Sequence, residues 1–404
     1  MLIPAIEWRP DVLEEHAEEL ESLWNRRLRA ERSALVDAVG LRRVHRRIEA
    51  HADALVLAGH HAVPFVERLL ASGSAASAAA AAFVVGCSDA AALVERLLGV
   101  LPSVKSAARA AIWAALEQRA GRALLAELAK VSAQQEEAQQ EELRAGALSV
   151  CAARDPGRAR SLGLEPLLAA SSPIARALAW RAVGRLGASG LPASTYALAF
   201  ADDEPAVRRA ALEAAARTRH GPLLEHLRRA ASSADLSRIE DHVLLALLAD
   251  ATDARRLESL VRTPPLGWER YRLLALWGRA PAVTILLEVM QSSDAVESAL
   301  AGAAFFRITG VSAAGDQRVP LVPAGTPPDD FTDLIHVCDG ERAERAWNEL
   351  RPRMADARWA YGVDTDAVLP EDLPLGVDLE SRWAAELRAR FGPSAWQGRR
   401  AYDL

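Results

Sequence analysis

Small and apolar residues recur at helical spacing through most of the chain. The clearest case begins with three acids, Asp202, Asp203 and Glu204, followed by Pro205 and then Val207, Ala210, Ala211, Ala214 and Ala215. Acids suit the positive end of a helix, and proline needs no hydrogen-bond donor in a first turn. The later positions fall on one helical stripe, so a buried helix is predicted from Pro205 onward. Upstream, Ser172-Pro173-Ile174 leads into Ala177, Leu178, Arg181 and Ala182, with Ile174 standing one repeat before Val207. Val104, Ala107, Ala108, Ala111 and Ile112 repeat the pattern earlier. Ile239-His242-Val243-Ala246, Trp268-Tyr271-Arg272-Ala275 and Val296-Ala299-Leu300-Ala303 repeat it later. Units of about 28–35 residues, each two short helices and a Gly/Pro/Asp turn, predict an α-solenoid in which stacking buries faces that no unit can bury alone.

The ends read differently from the middle. Residues 1–61 predict a helical N-terminal cap, with helices from Asp11 to about Arg32 and from Ala34 to about Ala58. The repeat array is expected over 62–310. A segment rich in Pro, Gly and Ala, 311–328, reads as a linker, and 329–404 as an acidic extension holding Trp347, Trp359, Trp383 and Trp396. The expected fold is therefore all-α: a HEAT-like α-solenoid, a right-handed superhelix of helix pairs, with a helical N-terminal cap and an irregular C-terminal extension.

Composition agrees with helices. Alanine is about one residue in five and aromatics are 5% of the chain, a mix that favours closely packed helices over sheets. No run of 18 uncharged apolar residues appears, and the acidic start (Glu14, Glu15, Glu18, Glu19, Glu21) is unlike a signal peptide. Cys87, Cys151 and Cys338 are widely separated and odd in number, as expected of reduced thiols in a cytoplasmic protein. The net charge of −6, with only Lys105 and Lys130 as lysines, argues against phosphate tracking and hence against a nucleic-acid partner. Charge is also unevenly placed. Residues 26–47 hold eight arginines against Glu31 and Asp37, whereas 328–382 hold fourteen acids.

Two stretches are more specific than the repeat. One is Leu41-Arg42-Arg43-Val44-His45-Arg46-Arg47-Ile48-Glu49-Ala50-His51-Ala52-Asp53-Ala54-Leu55, closed by Ala58-Gly59; the other runs Ala301-Gly302-Ala303-Ala304-Phe305-Phe306-Arg307-Ile308-Thr309-Gly310-Val311. With a tail of Trp383, Phe391 and Gly398-Arg399, the chain resembles an uncharacterised family of proteobacterial HEAT-repeat proteins often encoded beside type VI secretion spike and adaptor genes. That family brings no established catalytic residues, so the resemblance implies a context, with a spike component or effector toxin as partner, and no particular chemistry.

The residues themselves declare no catalytic motif. There is no P-loop, His-Glu-x-x-His, Gly-x-Ser-x-Gly or Cys-x-x-Cys. Gly184 and Gly187 read as a helix end, and His45, His51, His60 and His61 as capping or surface groups with no metal or cofactor implied. An alkyl-base DNA glycosylase, a known use of HEAT-like grooves, would need an aromatic and a carboxylate such as Trp180 with Asp202 or Trp113 with Glu117. Arg208 and Arg209 are expected to pair with acids of a neighbouring unit. The favoured reading is a non-enzymatic scaffold that binds another protein, with no membrane, nucleic-acid or small-molecule partner: an adaptor or chaperone of a type VI secretion locus, or alternatively the immunity protein of a secreted toxin. Arg42, Arg43, Arg46 and Arg47 are the candidate docking residues for an acidic partner, and Trp180 and Trp268 the candidate apolar anchors.

Overall fold

A computed structural model describes residues 8–30, 33–88, 90–133, 141–188, 190–321, 334–354 and 357–392. Trp396, Gly398, Arg399 and all of 322–333 in the expected linker and extension lie outside them. The described chain is mostly helical and folds as two compact units, one ending at His220 and the other starting at Gly221. Among the described residues no helix is long and apolar enough to cross a membrane.

The first unit opens with two long helices, α1 (Pro10–Ala30) and α2 (Ala38–Ala58). Then follow α3 (Val63–Ala71), α4 (Ala75–Cys87), α5 (Ala91–Val100), α6 (Ser106–Gln118) and α7 (Arg122–Ala133). Next come α8 (Glu141–Arg154), the one-turn α9 (Pro156–Ala159) and α10 (Glu165–Leu168), α11 (Pro173–Leu186), α12 (Ala193–Phe200) and α13 (Pro205–Arg217). Helices α4, α6, α8, α11 and α13 form a row in which each packs on the next. Their first residues, Ala75, Ser106, Glu141, Pro173 and Pro205, are nearly evenly spaced along the chain, and α6, α11 and α13 are the ones the sequence pattern predicts. In α4 every residue from Ala76 to Gly86 is buried. Such a helix has neighbours on several sides, and that explains why its sequence is apolar all round rather than amphipathic.

The row is possible because its contact residues are small. A Cβ at Gly146 of α8 would overlap the ring of the fully buried Trp113 on α6, and one at Gly184 of α11 would stand 3.2 Å from the Ala214 Cα of α13. Arginines then tie neighbouring helix pairs together. Arg109 Nε lies 2.8 Å from Glu142, and Arg176 grips Asp202 with both ends of its fork, at 2.8 and 3.0 Å. Arg176 also donates to the Ala170 and Ser171 carbonyls, and at the matching place before α13 Arg208 donates likewise to those of Asp202 and Asp203. Gly187 ends α11 in the left-handed conformation (φ 63°), as its position suggested. The second long helix starts later than the predicted Ala34. Asp37 caps it by accepting the Gly40 N–H at 2.7 Å, and a cap of this type sets the first turn.

The second unit contains α14 (Leu223–Ala230), α15 (Ile239–Leu248), α16 (Ala254–Val261), α17 (Glu269–Trp277), α18 (Ala280–Met290) and α19 (Ala295–Thr309). Helices α15, α17 and α19 pack in sequence. The segment expected as a linker is in part a strand. β1 (Ala314–Pro320) pairs antiparallel with β2 (Leu334–Cys338), and β2 lies on α19 where Gly302 leaves room for Cys338. A strand here makes its hydrogen bonds across to its partner and needs no helical pattern of its own, so composition alone concealed it. Beyond come α20 (Gly340–Leu350), a two-residue pair β3 (Trp359–Ala360) and β4 (Val363–Asp364), and α21 (Leu379–Phe391).

The chain after residue 357 is built into this unit rather than appended to it. Arg358, 2% exposed, donates to the carbonyls of Ala246 (2.7 Å), Leu247 and Ala249 at the end of α15. Burial, with Arg388 and Arg279 nearby, pulls its pKa well below the usual arginine value. The β3–β4 turn places Tyr361 and Gly362 at positive φ (53° and 75°), the pattern of a tight hairpin turn. Their N–H groups cap the last carbonyls of α19, at Arg307 (2.7 Å) and Ile308 (3.0 Å). Arg307 itself is held by Asp378 and Glu380 of the α21 start, and Arg272 adds a 2.6 Å pair to Glu380.

Two outcomes test this packing. Gly146→Ala should lower stability by about 1–3 kcal/mol through overlap with Trp113, although alanine favours a helix over glycine by about 1 kcal/mol; a urea midpoint that rises contradicts the contact. Arg358→Met should cost about 3 kcal/mol or more, because several buried carbonyls lose their donor at about 1–3 kcal/mol each. The loss is read as earlier hydrogen exchange in α15.

Candidate partner-binding surface

The α1–α2 hairpin is positioned by its apolar stripes. Leu13, Ala17, Leu20, Leu23, Trp24 and Arg27 are buried along α1, and Leu41, His45, Ile48, Ala52 and Leu55 along α2. These faces meet each other and α4. The helices run antiparallel, since Glu19 pairs with Arg47 (2.9 Å) and His16 meets His51. Antiparallel pairing sets the basic end of α1 beside the basic start of α2, and the acidic start of α1 beside the far end of α2.

The two charged ends differ in how they are engaged. Glu14 binds Arg68 of α3 at 2.6 Å, Glu21 accepts from Ser77 of α4, and Glu19 has Arg47. At the turn end, Arg26, Arg29, Arg43 and Arg46 are exposed or half-buried and Arg42 is half-buried. None of these five makes an ion pair among the described residues. Leu35, at the tip of the turn between the helices, is 91% exposed. Cations and a projecting apolar side chain on the same end of a hairpin can attract a carboxylate-rich surface at long range and anchor it at short range.

The predicted residues separate accordingly. Arg42, Arg43 and Arg46 lie on this face, whereas Arg47, though exposed, is tied to Glu19. Arg27 belongs to the same basic segment but is 1% exposed, packed over Trp24 with its guanidinium carbon 5.8 Å from the ring centroid. Its position was legible, because it falls one turn after Leu23 and Trp24 on the apolar stripe. Arg32 lies outside the described residues. Trp180 is 1% exposed on α11, with its ring centroid 4.8 Å from that of Tyr196. It is part of the wall of a cleft of about 420 Å3, together with Leu168, Pro192, Leu198 and the Arg176–Asp202 pair. The structure does not bring Trp180 to the arginines: α2 packs on α1 and α4, while α11 packs on α8 and α13. Trp268, 36% exposed just before α17, belongs to the second unit.

The carboxylates considered for base chemistry are taken up by the fold. Asp202 is held by Arg176 and by the Glu204 N–H. Glu117 is buried between Arg185, Arg181 and Ser149. Burial opposes its ionisation, but the two guanidiniums and the hydroxyl outweigh that and hold its pKa down to about 2. Burial pushes the Cys87 and Cys338 thiols up to about 11, so neither is a thiolate near neutrality. Among the described residues, no group of three or more His, Cys, Asp or Glu side chains is placed to hold a metal.

No protein-family model matches the chain, and no curated protein matches it. The hairpin therefore has to be judged by its own groups, and a buried histidine gives the first unit a pH signature. Burial, reinforced by the charge of Arg27, lowers the pKa of His45 in α2 below the ordinary 6.5, and burial lowers that of His220. Each fold position favours the neutral ring, so its stabilising contribution is complete above about pH 6.5 and is lost as pH falls through the lowered value. Glu117 contributes until far lower pH, near 2. The urea midpoint of the first unit should therefore drop between pH 7 and 5, and His45→Gln should flatten that drop; a midpoint flat across this range in the wild type contradicts the assignment.

Proposed function

We propose that this chain is a non-enzymatic protein-binding scaffold, a HEAT-like α-solenoid that docks an acidic partner through the turn end of its α1–α2 hairpin. The near-even recurrence of α4, α6, α8, α11 and α13, each packed on the next, supports the solenoid reading. The observation that carries the docking reading is the set Arg26, Arg29, Arg42, Arg43 and Arg46, without ion pairs among the described residues, on helices joined by a turn that bears the 91% exposed Leu35. Exposed arginines that a fold leaves unpaired raise the encounter rate with an acidic surface and add guanidinium forks that match carboxylates. From the family resemblance, the partner is a spike component or effector of a type VI secretion locus, and the chain its adaptor or chaperone. The same surface serves the alternative of an immunity protein, because basic and acidic faces also pair in toxin neutralisation.

The role is tested in the native host. The partner encoded nearby should co-purify without added nucleotide or metal. Deleting the toxin gene separates the alternatives: an immunity gene becomes dispensable, whereas loss of an adaptor stops delivery and leaves the producing cell alive. The surface is tested by kinetics. The Arg42→Glu, Arg43→Glu, Arg46→Glu triple variant should associate about tenfold or more slowly at low salt, with weaker salt dependence and unchanged helicity. Leu35→Ser should act mainly on dissociation. Wild-type kinetics for the triple variant would rule the arginines out as docking residues.

A further inference from the structure

His16 of α1 and His51 of α2 meet across the hairpin with their Nδ1 atoms 2.9 Å apart and their ring centroids 5.1 Å apart at 64°. Both residues are half-buried. As neutral imidazoles they share one proton, one ring donating its Nδ1–H to the Nδ1 lone pair of the other. The spacing suits a second occupant of the gap. Two nitrogens each about 2.05 Å from one ion, with a right angle between the bonds, stand about 2.9 Å apart, and a tetrahedral angle needs only about 0.4 Å more.

Helix packing holds the pair in place. The two rings come from different helices whose nearby residues Ala17, Leu20, Ile48 and Ala52 are buried, so packing and not a loop sets their separation. Glu19 stands one turn after His16 and is held by Arg47, one turn before His51, at 2.9 Å. We infer that His16 and His51 form a site for one divalent transition-metal ion of the class that prefers imidazole, Zn2+, Ni2+ or Cu2+, ligated through both Nδ1 atoms. Water completes the coordination, or Glu19 does once it leaves Arg47. On binding, the ring that donated moves its proton from Nδ1 to Nε2; both rings stay neutral and both Nδ1 lone pairs face the ion. With two side-chain ligands the ion exchanges readily and acts as a staple between α1 and α2, independent of the docking role proposed for the turn end.

The test uses the untagged full chain, freed of metal by a chelator and dialysed. Calorimetry with Zn2+ should show one equivalent bound, and His16→Asn and His51→Asn should each weaken it by about tenfold or more. Zn2+ should raise the melting midpoint of the wild type but of neither variant, while the double variant His60→Asn, His61→Asn binds as the wild type does. Zn2+ binding that survives both single substitutions, or no binding by the wild type at about a hundred micromolar Zn2+, overturns the site and leaves a hydrogen-bonded histidine pair. If either variant fails to fold, paramagnetic resonance of the wild type with one equivalent of Cu2+ decides: two imidazole nitrogens on the copper support the site, and one or none refutes it.

Discussion

Helix approach in the first unit is set by what stands between the axes. Helices α4, α6, α8, α11 and α13 follow one another in contact, so wherever one side carries bulk the facing residue must be small. Alanine and glycine meet that demand, and the fit is tight where Gly146 receives Trp113 and Gly184 receives Ala214. Close packing of this kind tolerates added volume poorly, since an extra methyl must displace either a ring or a backbone. The high alanine content thus follows from the packing of the row. Everything on the outer side, from α3 and α5 to the α1–α2 hairpin, takes its place from those inner helices.

Buried charge is the second constraint. Glu117 with Arg185 and Ser149, and Arg307 with Asp378 and Glu380, take ions out of water at a cost that attraction only just offsets. Removing one partner leaves the other buried and unpaired, which makes these pairs strict about geometry. Arg358 goes further, since its guanidinium is met by the carbonyls that end α15, groups that a helix leaves without donors of its own. In this way a segment without a helical pattern becomes part of the second unit. These networks use the same residue types that a sequence reader would look to for catalysis, and their full engagement is why neither Glu117 nor Asp202 is a free base.

The proposed docking face and the His16–His51 pair both belong to one antiparallel hairpin. Its helices are amphipathic in the ordinary way, yet their charges run lengthwise, acidic toward one end and basic toward the other. The fold engages Glu14, Glu21 and Glu19 of the acidic end with Arg68, Ser77 and Arg47, and at the basic end it buries Arg27 but leaves Arg26, Arg29, Arg43 and Arg46 exposed. A surface that the fold does not itself use is where an exposed cluster of one sign acquires meaning for a partner.

Much of this was legible in the chain. The helical class, the recurrence of α6, α11 and α13, the acid–proline start of α13, the Gly187 stop and the two long helices at the N-terminus follow from local rules of period, capping and proline placement. Such rules act within a few residues and leave a mark in the sequence. The stripe positions even place Arg27 inside, once Leu23 and Trp24 are read with it. What the tertiary structure decided depends on residues far apart in sequence: the pairing of β1 with β2, the reach of Arg358 back to the end of α15, and the burial of Trp180 against Tyr196. The meeting of His16 with His51 is of the same kind. His51 has no metal-binding residue at helical spacing and His16 only Glu19, and only the register of α1 against α2, set by the apolar stripes, puts two ring nitrogens 2.9 Å apart.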